Sequence, residues 1–238
     1  MNAKIVSIRR YPVKSLGGEA VSETALAPDR GVAGDRRYAL VPAADGEPET
    51  GWRPKSRCVA MVRHASLARL AAKFDDAGGA VTLSAGGREL ERGRPEAPGD
   101  RAELEAVLDR ELSAEIGTRF RLAVAGPGTM LSDVNAPFIA LINLASTRAL
   151  GEKLGAPVDP IRFRGNFHLE GVPAWAEREW IGRRIAVGDA VLEVMELIGR
   201  CAATEVNPDT TVRDLRIDRK STRLNSSHLK LSRMPSSA

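Results

Sequence analysis

Short apolar–polar alternations, each cut off by glycine or proline, run from the start of the chain to Leu83 and restrict it to folds built from short strands. Lys4 to Arg10 sets Val6 and Ile8 against Ser7 and Arg9, a period of two that predicts a strand. Tyr11-Pro12 closes it, because proline brings no amide hydrogen to a ladder. Leu16-Gly17-Gly18 predicts a turn. Ala20 to Leu26, Arg37 to Val41, Val59 to Val62 and Val81 to Leu83 are further strand candidates, the first two parted by Pro28-Asp29-Arg30-Gly31. This spacing predicts a small barrel or sandwich rather than a βαβ fold.

One stretch breaks the pattern. From Ala102 to Ile116, Leu104, Val107, Leu108, Leu112 and Ile116 fall on one face of a helix and Glu103, Glu105, Asp109 and Arg110 on the other. A loop from Arg94 to Asp100 leads into it, and Gly117 ends it as a C-cap. Arg119 to Val124 predicts a strand, and a second unit is expected to begin near there. Phe138 to Leu144 is an apolar run suited to a buried strand, followed by a short helix over Ser146 to Leu154. Arg162 to Leu169 alternates as a strand would, and Trp175 to Trp180 fits a helical turn or two. Arg184 to Val187 and Ala190 to Leu197 pair across Gly188-Asp189, a two-residue hairpin signal. The expected class is mainly β (α+β), with units at 1–118 and 119–218.

Aromatic residues make up 4% of the chain, so Val, Ile, Leu and Ala must form most of the core. No run approaches the ~18 apolar residues of a membrane span, and the N-terminus lacks the features of a signal peptide. A soluble cytoplasmic protein with no membrane partner is expected. A net charge of +4 suggests nucleic-acid binding, but its source argues otherwise. Residues 219–238 hold five basic residues and no acid, which leaves residues 1–218 at −1. No nucleic-acid partner is expected. This Ser-rich, aperiodic tail resembles translated adapter read-through, and it is expected to stand outside the fold as a non-native or disordered segment.

Two cysteines, Cys58 and Cys201, are too few for a disulfide framework and match no zinc spacing. Cys58 reads as an inert thiol in a strand-like run. Cys201 follows a long apolar strand and a glycine and has Arg200 beside it, surroundings that favour a thiolate and a soft metal. Elsewhere cations recur at turns. Lys14-Ser15 follows a strand, Arg36 precedes another, and Arg162, Arg164 and Asn166 share one face at a spacing of two. Such donors suit a phosphate or a hydrogen-bond-rich heterocycle, although solvated strand faces would look the same. No Gly-rich phosphate loop, HExxH or GxSxG motif occurs. His64 and His168 have no companions at ligand spacing and read as structural.

Together these motifs resemble a known family. Tyr11-Pro12-Val13-Lys14-Ser15-Leu16 and Gly31-Val32-Ala33-Gly34-Asp35-Arg36-Arg37-Tyr38 resemble the MOSC N-terminal β-barrel domain. Leu131 to Pro137, Arg162-Phe163-Arg164-Gly165-Asn166 and Gly199-Arg200-Cys201 onward to Asn207-Pro208-Asp209-Thr210 resemble the MOSC domain itself. The likeness covers residues 1 to about 215, nearly the whole chain without its tail. It is shared with the mitochondrial amidoxime-reducing component, its bacterial counterparts and the C-terminal part of molybdenum-cofactor sulfurases.

The resemblance implies a molybdenum cofactor with Cys201 as the metal ligand, Lys14, Ser15, Arg36, Arg164 and Asn166 as cofactor contacts, and Asp133 near the metal. It implies a molybdenum-dependent oxidoreductase that reduces N-hydroxylated substrates by oxygen-atom transfer, with Asp133 helping to deliver a proton. Electrons would come from a separate iron–sulfur, flavin or haem protein. The alternative is a non-catalytic cofactor carrier or sulfur-transfer module bearing a persulfide on Cys201. Pyridoxal phosphate belongs only to the family's sulfurase fusions, and no residue pattern here suggests a domain for it. Two departures stand out. Gly165 replaces the proline usual between that Arg and Asn, and the family continues for several strands where the tail begins, so a truncated second unit is expected.

Overall fold

A computed structural model describes residues 3–27, 30–217 and 228–233. The chain runs β1 (Lys4–Arg10), β2 (Glu19–Val21), β3 (Leu26–Ala27), β4 (Gly31–Val32), β5 (Tyr38–Pro42), β6 (Leu70–Phe74), β7 (Val81–Ala85) and β8 (Arg88–Gly93). Helix α1 (Pro98–Ile116) and β9 (Phe120–Val124) complete the first part. Then come β10 (Ile139–Asn143), α2 (Leu144–Leu154), β11 (Phe167–Glu170), β12 (Arg184–Val187), β13 (Ala190–Leu197) and β14 (His228–Arg233). Strands dominate, as the short alternations require.

In the first part β6, β7 and β8 form an antiparallel meander and β5 pairs with β9. Helix α1 covers them. Its Leu104, Val107, Leu108 and Leu112 are buried with Leu40, Leu67, Leu83 and Phe120 in one hydrophobic core. Each such side chain contributes roughly 1.5–3 kcal/mol by leaving water. Pro98 starts α1 without needing a donor, and left-handed Gly117 ends it by donating to Ser113 O.

The second part centres on a seven-stranded sheet ordered β12-β13-β14-β10-β11-β1-β2. The β12–β13 hairpin forms as expected, with Gly188 in the left-handed region that its turn demands. Three features depart from the sequence reading. First, β10 and β11 run parallel and are joined through α2, so the sheet contains one βαβ crossover. All five residues of β10 are buried, and a strand covered on both faces is what a parallel pair under a helix needs. Second, β1 and β2 leave the first part and extend this sheet, with Ile8 opposite Phe167. Third, the supposed outlying tail contributes β14, which fills the slot between β10 and β13; Leu231 is fully buried, opposite both Ile139 and Val194. Residues 219–227 and 234–238 lie outside the described residues.

Smaller corrections follow from local chemistry. Ala20 to Leu26 divides into β2 and β3 rather than one strand. Val59 donates to Leu40 O, but Arg63 and His64 then turn back onto Ala60 O, so Val59 to Val62 is a turn. Cys58 caps the 3-10 turn Lys55–Arg57. Pro160–Phe163 is also a 3-10 turn, and β11 starts only at Phe167.

Candidate functional site

The loop after β1 and the loop before β5 are stitched edge to edge. Arg36 N donates to Tyr11 O at 2.8 Å, Tyr38 N to Pro12 O at 3.0 Å, and Lys14 N to Tyr38 O at 2.7 Å. The buried Asp35 carboxylate accepts from Tyr11 N at 2.7 Å. Lys14 and Ser15 are thereby placed beside Arg36. Ser15, Arg36 and Arg164 all hold positive φ, at 73°, 48° and 54°. A side chain in that region costs roughly 1–2 kcal/mol. All three residues line one cleft, and strain gathered in this way marks a place where geometry matters.

The cleft has a cavity volume of about 170 Å³ and opens to solvent on one side, smaller than the ~300–1,000 Å³ usual for small-ligand sites. Lys14, Ser15, Arg36 and Lys55 come from the first part of the chain, Asp133 from the loop between β9 and β10, and Arg162 and Arg164 from the turn before β11. Arg200 and Cys201 follow β13. Six cations and one carboxylate line the cleft, with Arg36 also paired to Asp35 and Arg162 to Asp214. Such a wall favours an anionic ligand.

Asp133 is bracketed by two ammonium groups, with Oδ1 at 2.8 Å from Lys14 Nζ and Oδ2 at 2.8 Å from Lys55 Nζ. Burial pushes its pKa up, but the two lysines outweigh burial and hold it down at about 2. Asp133 is therefore held as an anion near neutral pH, which disfavours it as the resting proton store for the role expected of it. It orders two cations instead.

Arg36 donates to Asp35 and, at 2.9 Å, to Arg164 O. The Arg164 guanidinium lies 4.3 Å from the centre of the Tyr11 ring, and its Nη1 donates to Leu16 O. Burial, followed by the nearby Arg36 charge, lowers its pKa to about 10. Its Nη2 is buried with no hydrogen-bond partner among the described residues. An orphaned cationic donor in a cationic cleft calls for an oxyanion.

Cys201 is half-buried, and its Sγ lies 3.4 Å from Lys55 Nζ. Arg200, the cation anticipated there, stacks 4.3 Å over the Phe163 ring and interacts with Cys201 through its charge. Lys55 is the site residue that sequence reasoning missed. It carries no motif and sits 146 positions from the cysteine. Cys58 is buried beneath the cleft, where desolvation raises its pKa, as befits an inert thiol.

Of the expected site residues, Lys14, Ser15, Arg36, Asp133, Arg164 and Cys201 share the cleft. Asn166 does not. It is fully buried, accepts from Ala140 N at 3.0 Å and donates to Arg9 O at 3.1 Å. These bonds tie β10 to β1, which corrects its expected place among the cofactor contacts. Left-handed Arg164 breaks the supposed row of Arg162, Arg164 and Asn166.

Among the described residues no helix is long and apolar enough to cross a membrane. The family model of the MOSC N-terminal beta barrel domain matches residues 2–115, and that of the MOSC domain matches residues 132–230. No curated protein sequence matches the chain. Lys14, Ser15, Arg36 and Lys55 fall within the first match; Asp133, Arg164 and Cys201 fall within the second.

Proposed function

The chain belongs to the MOSC family, and on that premise we propose that its cleft binds a molybdenum cofactor and reduces N-hydroxylated compounds. MOSC domains are associated with molybdenum-cofactor-binding proteins. The observation that carries the reading is the convergence of Cys201, Lys14, Arg36 and Arg164 on one cleft from four separate segments. The residues fit the group. A thiol suits a soft metal, and the orphaned Arg164 Nη2 suits an anionic tail.

In this reading Cys201 supplies the metal ligand, while Lys14, Ser15, Arg36 and Arg164 hold the pterin and its phosphate. When bound, the cofactor supplies two-electron oxygen-atom transfer chemistry. Releasing a hydroxyl oxygen as water also takes two protons. Asp133 fixes the Lys14 and Lys55 ammonium groups, and Lys55 is the proton-bearing group beside Cys201. Apolar Met61, Val62 and Phe163 limit water on the other wall. Electrons come from a separate iron–sulfur, flavin or haem protein, and the setting is cytoplasmic, with no nucleic-acid or membrane partner.

The ionised Asp133 favours a second reading, in which Cys201 carries cofactor or a persulfide without turnover. Metal analysis of the purified protein from cofactor-replete cells, followed by reduction assays on a hydroxylamine and an amidoxime, separates the two. Molybdenum with turnover supports the reductase. Molybdenum without turnover supports the carrier, and absence of molybdenum rejects both cofactor-binding forms.

A further inference from the structure

The turn that follows Cys201 is held from both ends by a hydrogen-bond network that reaches from the cleft's lining to the loop beyond it. Cys201 O accepts from both Thr204 N and Thr204 Oγ1, each at 3.0 Å. Ala202 O accepts from Arg213 Nη1, and Glu205 O accepts from Arg162 Nη1 at 3.0 Å. Arg213 reaches across the chain as well, donating to Met61 O at 3.1 Å and Val62 O at 3.0 Å. It therefore ties the cysteine's turn to the first part of the protein.

Asn207 organises the other end. Its Oδ1 accepts from Asp209 N and Thr210 N, closing the loop of the Asn-Pro-Asp-Thr run on itself. Its Nδ2 donates to Asp214 Oδ2 at 2.6 Å, and Asp214 in turn pairs with Arg162 at 2.7 Å. The loop is strained to make this reach. Thr211, a β-branched residue, sits at a φ of 60° while its N–H donates to Asn207 O. The chain of contacts runs from Asn207 through Asp214 and Arg162 to Glu205 O, on the turn that begins at Cys201.

We infer that Asn207, Asp214, Arg162 and Arg213 are positioning residues for Cys201, and that the Asn-Pro-Asp-Thr run serves to aim the thiol at the cleft rather than to contact a ligand. The network engages the Cys201, Ala202 and Glu205 carbonyls, and the Cys201 sulfur lies 3.4 Å from Lys55 Nζ. The inference leans on Cys201 as metal ligand for one of its two readouts only.

The test uses Asn207→Asp, which keeps the Oδ acceptors that close the loop but sets a second carboxylate against Asp214. Hydrogen exchange on the cofactor-free full chain should quicken about tenfold at the Thr204 and Val206 amides, while the Val194 amide of β13 keeps its rate. The reciprocal double variant, Asn207→Asp with Asp214→Asn, regenerates one donor and one acceptor and should restore the original rates. Arg162→Lys, which keeps the charge but not the fork spanning Asp214 and Glu205 O, should behave like Asn207→Asp. In cofactor-loaded protein the half-life of bound molybdenum should shorten about tenfold in the single variants and recover in the double, with thermal midpoints unchanged. Unaltered exchange at Thr204 and Val206 in Asn207→Asp, or failure of the double variant to restore it, overturns the inference. Wild-type protein that takes up no molybdenum overturns the function proposed above, and the exchange result still decides this one.

Discussion

Lys55 Nζ and Cys201 Sγ stand 3.4 Å apart, joining a turn of the first part of the chain to the segment after β13. Lys55 also grips Asp133, so its position is fixed from two sides. A charge-assisted contact of this kind contributes roughly 1.5–3 kcal/mol. Lys55→Met should therefore lower molybdenum affinity by about ten- to a hundredfold, while Lys55→Arg keeps most of it. Metal content after dialysis against a chelator reads the difference. Equal retention in Lys55→Met and wild type would show that the ammonium does nothing for the thiol's ligand.

The two thiols should behave oppositely. Cys201 faces the cleft and Cys58 is buried in a small aliphatic cluster with Val41, Ala123 and Leu131. Cys201→Ala should lose the metal; Cys58→Ala should keep it and lose only about 1 kcal/mol of stability through lost packing. Metal analysis beside a denaturation curve checks both. The same metal content in the two variants would refute the assignment.

How much of this was legible in the sequence depends on range. The Lys14-Ser15 and Arg36 loops, Asp133, Arg164 and Cys201 each sit in a recognisable local pattern, and they meet in one cleft. Lys55 lies in no such pattern, and only tertiary approach gives it a partner. Asn166 carries a motif position, yet its amide is consumed by the backbone of β1 and β10, a fate fixed by strand pairing rather than by its neighbours. The βαβ crossover was missed for a similar reason. A buried apolar run such as β10 has no alternation to reveal its direction. Composition misled at the C-terminus, where a Ser-rich, basic stretch hid the two-residue period of β14.

Gly165, where the family favours proline, fits its own surroundings. A Cβ built there would lie 2.4 Å from both Cγ1 and Cδ1 of Ile142, a fully buried residue of β10. Gly165→Ala should destabilise the protein by about 1–3 kcal/mol through overpacking. Adding Ile142→Val removes Cδ1 and should recover part of that loss. Urea midpoints of the single and double variants give the answer. A single variant as stable as wild type would mean that the Ile142 side chain moves aside freely.

Acid sensitivity should begin with His168. It is 4% exposed on β11, and burial, then the charge of Arg9, lowers its pKa to about 4. The unfolded chain takes up this proton near pH 6.5, the folded protein only near pH 4, so the unfolded state binds more protons between the two. The stabilising contribution is complete above pH 6.5 and is lost as pH falls to 4, amounting to about 3 kcal/mol. His64, also depressed by burial, loses stability in the same direction. Asp133 acts in a lower window, since its contribution is present above its ordinary pKa and disappears as pH falls through about 2. Urea unfolding at pH 7, 5.5 and 4.5 should therefore show a decline that His168→Gln largely flattens and His64→Gln flattens less. If the His168→Gln protein declines as steeply as wild type over that range, protonation of His168 is not what destabilises the fold.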